Sequence, residues 1–247
     1  YALRFGDTLP RLVKMAAEKW PEVSAQLSHT KDGGYKEVNY HDMFQNAMDF
    51  SGALLELGVQ RGDRVGLIAD NREEWEQADV GLLSIGAIDT PRGCDATEND
   101  LSYILSFSEV RICITENEAQ IKKLLNIKKN VPTLDTAIAF DPVSDEMKAS
   151  CEAQGIKCLQ FQDLLKAGHE WRKAHPDTVE KELEKGQIDD LATIIFTSGT
   201  TGTPKGVMLT HRNILCQLDE VTERIFLNPG ERALLVLPVW HAFQRAV

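Results

Sequence analysis

The chain has 247 residues, 43% of them apolar and 26% charged, which suits an ordinary globular protein with one large or two smaller buried cores. A formal net charge of −11 and the lack of any Lys/Arg-rich run argue against nucleic acid as a partner, because a polyphosphate would be repelled. Five cysteines, odd in number, scattered and without a C-x-x-C pair, point away from a disulfide framework or a zinc site and toward a reducing, cytoplasmic setting.

Residues 1–10 lack a basic region followed by an apolar stretch, so no signal peptide is expected. The longest apolar runs, such as 233–240, fall far short of the ~20 residues that span a bilayer, so any membrane association is expected to be peripheral. From Asn39 onward, helical and strand periods alternate. Residues 42–57 place Phe44, Ala47, Met48, Leu54 and Leu57 near helical spacing, with Gly58 as a stop. A buried strand is expected at 65–69, and then a helix capped by Asn71, with Glu73 and Glu74 in its first turn and Trp75, Ala78, Leu82 and Leu83 inside. Thr97 and Asp100 have the spacing of a capping box for a helix that buries Leu101, Ile104 and Leu105. Val110, Ile112 and Ile114 alternate as a half-buried strand would. Further strands are expected at 137–140, 157–161, 192–196 and 233–237.

Strands separated by helices imply crossover connections, hence an α/β fold of largely parallel sheets with helices on both faces. No fixed-period repeat or low-complexity tract interrupts it. Residues 169–190 are highly charged and contain Pro176 and Gly186, so they read equally as a connector or as a solvated surface helix. The expected division is an N-terminal lobe at 1–168, the charged connector at 169–190, and the start of a second lobe at 191–247.

The chemistry concentrates in residues 194–206, which read I-I-F-T-S-G-T-T-G-T-P-K-G. A buried strand runs straight into hydroxyls and glycines and ends in a lysine. Gly199, Gly202 and Gly206 permit close backbone approaches, so main-chain N–H groups can converge on an anion. Thr197, Ser198, Thr200, Thr201 and Thr203 add rotatable donors, and Lys205 adds a compact positive charge. That combination suits a triphosphate. The P-loop G-x-x-x-x-G-K-[ST] is excluded, because Pro204 stands before the lysine and Gly206 stands where its Ser/Thr would be. An extended run, 207–209, follows the lysine. A helix then begins near His211, with Thr210 as its cap and Ile214, Leu215, Leu218, Val221 and Ile225 as its apolar stripe.

At these residues the chain resembles the adenylate-forming, or AMP-binding, superfamily, whose signature matches every position from Ile194 to Lys205. The likeness extends through G-D-R-V at 62–65 with Asn71 and Trp75, L-S-Y-I-L at 101–105, and D-D-L-A at 189–192. N-R-E-E-W at 71–75 and P-R-G at 91–93 look most like long-chain fatty-acid CoA ligases. The resemblance implies part of the large N-terminal domain of an acyl-CoA synthetase-like enzyme, with fatty acid, ATP, Mg²⁺ and CoA as reactants. It implies a phosphate-binding role for Thr197, Ser198, Gly199, Thr200, Thr201, Gly202, Thr203, Pro204 and Lys205, with Thr200 or Thr201 approaching the nucleotide-bound magnesium. It also places a histidine matching His241 beside the acyl carboxylate and the adenylate, and makes Trp240 a candidate for shaping the acyl entrance.

His241 follows an expected strand, where α/β proteins bind ligands. Lys205 and His241 are therefore the candidate catalytic residues. His29, His41, His169 and His175 lack metal-like spacing, His211 reads as a first-turn helix residue, and Arg92 next to Gly93 could contact an anion but reads most simply as half of a surface salt bridge. The resemblance further implies that the adenine- and ribose-binding segments and the C-terminal lysine lie beyond Val247, so the chain alone is expected to lack complete ligase activity. Another adenylate-forming ligase of different acid specificity is the alternative within the superfamily, and a nucleotide hydrolase or kinase, or a non-catalytic scaffold of the same fold, are the alternatives from other classes.

Overall fold

The computed structural model describes residues 8–30, 32–197, 204–222, 224, 228 and 230–241. Helix α1 (Leu9–Lys19) leads into an antiparallel pair, β1 (Ser24–His29) and β2 (Tyr35–Asn39). There follow α2 (Tyr40–Glu56), β3 (Arg64–Ile68), α3 (Glu73–Ser84), β4 (Ile88–Arg92), α4 (Glu98–Phe107), β5 (Ile112–Thr115) and α5 (Glu118–Ile127). The rest is β6 (Thr136–Ala139), α6 (Asp145–Ala153), β7 (Lys157–Gln160), α7 (Phe161–Ala174), α8 (Thr178–Lys185), β8 (Leu191–Thr197), β9 (Lys205–Thr210) and α9 (His211–Thr222).

Among the described residues the main sheet has seven strands, in the order β7-β6-β5-β3-β4-β8-β9. Its neighbours pair in parallel, except that β9 returns antiparallel along β8. The alternation seen in sequence divides side chains between two cores rather than between core and water. Val65, Leu67, Ile112, Ile114 and Ile138 pack into one cluster with Trp75 and Phe50. Ile68, Cys113, Ala137 and Ala139 pack into another with Leu101 and Leu124. All four residues of β5 are consequently buried, where a half-buried strand was expected, because helices cover both faces of a parallel sheet.

Capping chemistry sets the helix starts. Asn39 accepts from the Asp42 amide at 2.7 Å to open α2, and Thr97 and Asp100 form the expected reciprocal box at α4. Thr210 and Asn213 exchange bonds at the start of α9, the Asn213 amide donating to Thr210 Oγ1 at 3.3 Å and Asn213 Oδ1 accepting from the Thr210 amide at 2.9 Å. Ile225, the last member of the predicted α9 stripe, lies outside the described residues.

Two expected elements differ. Asn71 does not cap α3, which starts at Glu73 with Arg72 at its N-cap position. Residues 233–237 form no strand; Leu234 and Val236 are 86% and 73% exposed. Their apolar run has strand propensity, but a strand also needs a hydrogen-bonding neighbour, and none of the described strands pairs with it.

The charged stretch 169–190, left open between connector and helix, is helical over much of its length, in the end of α7 and in α8. Val179 and Leu183 are buried against Phe44, Ala47 and Met48 of α2, and Arg172 bonds Asp49 at 2.6 Å and Glu180 at 2.9 Å. Strand β4 was not foreseen: Asp89 and Pro91 are poor strand formers, and proline cannot donate to a ladder.

Candidate active site

Parallel register brings the C-terminal ends of several strands to one level. Ile68 aligns with Arg92 on one side and with Thr115 on the other, and Asp89 aligns with Thr193 of β8. The segments leaving these strands, Asp70-Asn71, Gly93-Cys94 and Thr197, therefore share the edge where open α/β sheets bind ligands.

The hydroxyl-rich segment connects β8 to β9, so its ends are held by an antiparallel ladder. Thr197 is the register partner of Lys205, and Phe196 is that of Gly206. Ser198, Gly199, Thr200, Thr201, Gly202 and Thr203 lie outside the described residues, including the two threonines assigned to magnesium. Pro204 is half-buried, whereas Thr197 and Lys205 are exposed. Gly206 belongs to strand β9 rather than to the loop. A Cβ there would meet Ile194 Cγ2 at 2.8 Å and the Phe196 ring at 3.3 Å, so this glycine makes room for β8.

Residues 238–241 turn back over the strand ends. The His241 amide donates to the Pro238 carbonyl at 2.9 Å, closing the turn. Val239 is 6% exposed and inserts into the core that holds Ala69 and Trp75. Asn71 grips the turn from below: Nδ2 donates to the Leu237 carbonyl at 2.7 Å, and Oδ1 accepts from the Val239 amide at 2.9 Å. Trp240 is half-buried and lies on the Gly93 backbone, where a Cβ would meet indole Nε1 at 2.5 Å. His241 is exposed. It leaves a turn pinned by a side chain, not the end of a strand as expected.

Arg92 is half-buried and forms no close ion pair among the described residues, although its charge helps to lower the Asp100 carboxyl. One guanidinium nitrogen donates to the Phe196 carbonyl at 3.2 Å, and the guanidinium carbon lies 5.4 Å from the Trp240 ring centroid. Pro91 has no N–H to offer β8, and the Arg92 side chain supplies a donor to a β8 carbonyl one residue on. In the sequence, Arg92 beside Gly93 reads as a surface ion pair ahead of an anion contact, and Asn71 reads only as a helix cap; the signal that places them beside the candidate residues is polar or small residues directly following buried strands.

Asp70, Cys94 and Glu116 bring their ligand atoms within 4.8 Å of one another at the ends of β3, β4 and β5. Both carboxylates already accept main-chain bonds: Asp70 from the Cys94 amide and Glu116 from the Asp70 amide, each at 3.0 Å. Burial, with Glu116 and Asp70 nearby, pushes the Cys94 thiol up to about 12, so it stays protonated near neutral pH and is no nucleophile. The trio ties three strand ends together.

A family profile described as AMP-binding enzyme matches residues 13–247. The chain belongs to the AMP-binding enzyme family. Among AMP-binding enzymes, it is 31% identical over 99% of its length to the chloroplastic long-chain-fatty-acid–[acyl-carrier-protein] ligase AEE15 of Arabidopsis thaliana, covering 34% of that protein. It is 29% identical over 86% of its length to long-chain-fatty-acid–CoA ligase 5 of Rattus norvegicus, covering 31%. The chain therefore spans about a third of the length of these curated relatives. In structure it superposes on the A-PCP didomain of a carboxylic acid reductase from Segniliparus rugosus, solved in complex with AMP, with a TM-score of 0.78 at 17% identity, covering 98% of this chain and 37% of that one. That likeness establishes the fold, α/β with a mainly parallel sheet flanked by helices.

Proposed function

We propose that the chain is the carboxylate- and ATP-handling part of a ligase that activates a long-chain fatty acid, first to the acyl adenylate with release of pyrophosphate, then to the CoA thioester. The reading rests on one observation: a segment of hydroxyls and glycines is strung between paired strands, with Lys205 at its base, on the same sheet edge as Trp240 and His241. Two anions must meet in such a reaction, and charge builds on the departing pyrophosphate. In this reading the hydroxyl and amide donors of the loop, with the Lys205 ammonium, offset that charge. ATP enters as its magnesium complex, with Thr200 and Thr201 assigned to approach the ion. His241 is assigned to the carboxylate and the adenylate, and Trp240 to the acyl entrance.

The acceptor thiol has a second reading, since the Arabidopsis relative is named for transfer to acyl carrier protein. The test is pyrophosphate exchange into ATP by the complete ligase with acids of graded chain length, followed by thioester formation with CoA or with acyl carrier protein. Exchange that rises with long-chain acids supports the proposal. Phosphate release that is indifferent to added acid would make the protein a nucleotide hydrolase or kinase.

A further inference from the structure

We infer that Arg92 is a positioning residue of this site, coupling the base of the phosphate loop to the turn that carries Trp240 and His241. The inference rests on the ligase reading above. Register puts Arg92 level with the last residues of β8, and its guanidinium bonds the carbonyl of Phe196, immediately before Thr197. Its other face meets the Trp240 ring. One rigid, planar cation thus touches both halves of the site, which approach each other from distant parts of the chain.

Its burial does not favour stability alone. Arg92 Nε is buried with no hydrogen-bond partner among the described residues. An unmatched donor of a charged group is costly, and an aliphatic side chain would fill the space without that cost. Local rules broken in this way are characteristic of functional positions. The Phe196 bond and the Trp240 contact fix the guanidinium from two sides, so displacing it would move the Trp240-His241 turn relative to the loop. The Thr197-Lys205 pairing, which does not involve Arg92, would persist. Misalignment of two bound reactants lowers the rate of their reaction more than the affinity for either.

The test uses the complete ligase with Arg92→Gln, Trp240→Leu and the double variant, each assayed for acid-dependent pyrophosphate exchange and for ATP affinity. The expected result is a fall in kcat of about tenfold or more for Arg92→Gln, ATP affinity within about twofold of wild type, and a double variant no worse than the poorer single one. Tryptophan emission should shift on Arg92→Gln, and the shift should vanish in a Trp240→Phe background. Unchanged kcat, or losses that simply add, would overturn the coupling. Should Arg92→Gln fail to fold, Arg92→Lys carries the same measurements: it keeps the charge without the planar fork and is expected to show the same kcat loss and emission shift, whereas full activity with unshifted emission would overturn the inference. Absence of acid-dependent exchange in the wild type would sink the ligase reading instead, leaving the emission experiment to decide the coupling.

Discussion

Asn71 holds the main chain on both sides of Pro238, donating to the carbonyl of Leu237 and accepting from the amide of Val239 across 166 and 168 positions of sequence. An exposed side chain at the end of β3 thereby decides where Trp240 and His241 stand. Removing it should release the turn without opening the core. Asn71→Ala is expected to cost about 1–2 kcal/mol of local stability. It should also speed hydrogen exchange at the Val239 amide and reduce acid-dependent pyrophosphate exchange. Protection of Val239 equal to wild type would show that burial of the valine alone holds the turn.

Lys205 is exposed at the first position of β9, so its ammonium contributes little to the core. Lys205→Ala should leave the melting temperature within about 2 °C, because exposed substitutions rarely exceed ~0.5 kcal/mol. ATP affinity should fall at least about tenfold, reflecting a lost charge-assisted contact with phosphate. Thermal melts check the first half of the statement and calorimetric titration with ATP the second, and undiminished affinity would remove Lys205 from the site.

Gly93 is a packing surface for an indole. In Gly93→Ala the new methyl would fall 2.5 Å from Trp240 Nε1 and 2.8 Å from Asp95 Oδ1. Displacing Trp240 should cost about 1–3 kcal/mol and disturb its contact with Arg92. Pairing it with Trp240→Ala should recover most of the stability lost to the methyl, which thermal melts of the single and double variants would reveal.

The capping box at α4 gives a pH dependence with a definite sign. The Thr97 hydroxyl, with smaller help from its backbone amide and the Arg92 charge, holds the Asp100 carboxyl below its usual range against the opposing effect of burial. A depressed folded-state value means that the contribution is complete above the unfolded value near 3.8 and is lost as the pH falls through the lower folded value. Thr97→Ala should therefore cost about 1 kcal/mol at pH 7, and the difference from wild type should shrink in denaturant melts below about pH 4. A difference that is constant with pH would mean that Asp100 is not the partner that matters.

Much of this could be read directly from the chain. Thr97 with Asp100, the stop at Gly58 and the cap at Thr210 use groups only a few residues apart, so spacing alone reveals them. Alternation at 110–114 identified a strand but not its double-sided burial, because both faces of a covered sheet are apolar and only the helices laid across them show it. The exposure of 233–237 and the burial of Val179 and Leu183 were likewise invisible, since apolar residues report propensity and not the presence of a neighbour.

What the amino-acid sequence determined by itself is the alternation of strands and helices and the loop chemistry from Thr197 to Lys205, because both depend on short-range periodicity and on side-chain type. Only the tertiary structure decided that Arg92 would lie between Phe196 and Trp240, and that Asn71 would hold the 237–239 turn instead of capping a helix. Those contacts join residues 104 to 168 positions apart. They exist because crossover connections and strand register bring separate strand ends to one edge of the sheet, and no local pattern encodes which ends will meet.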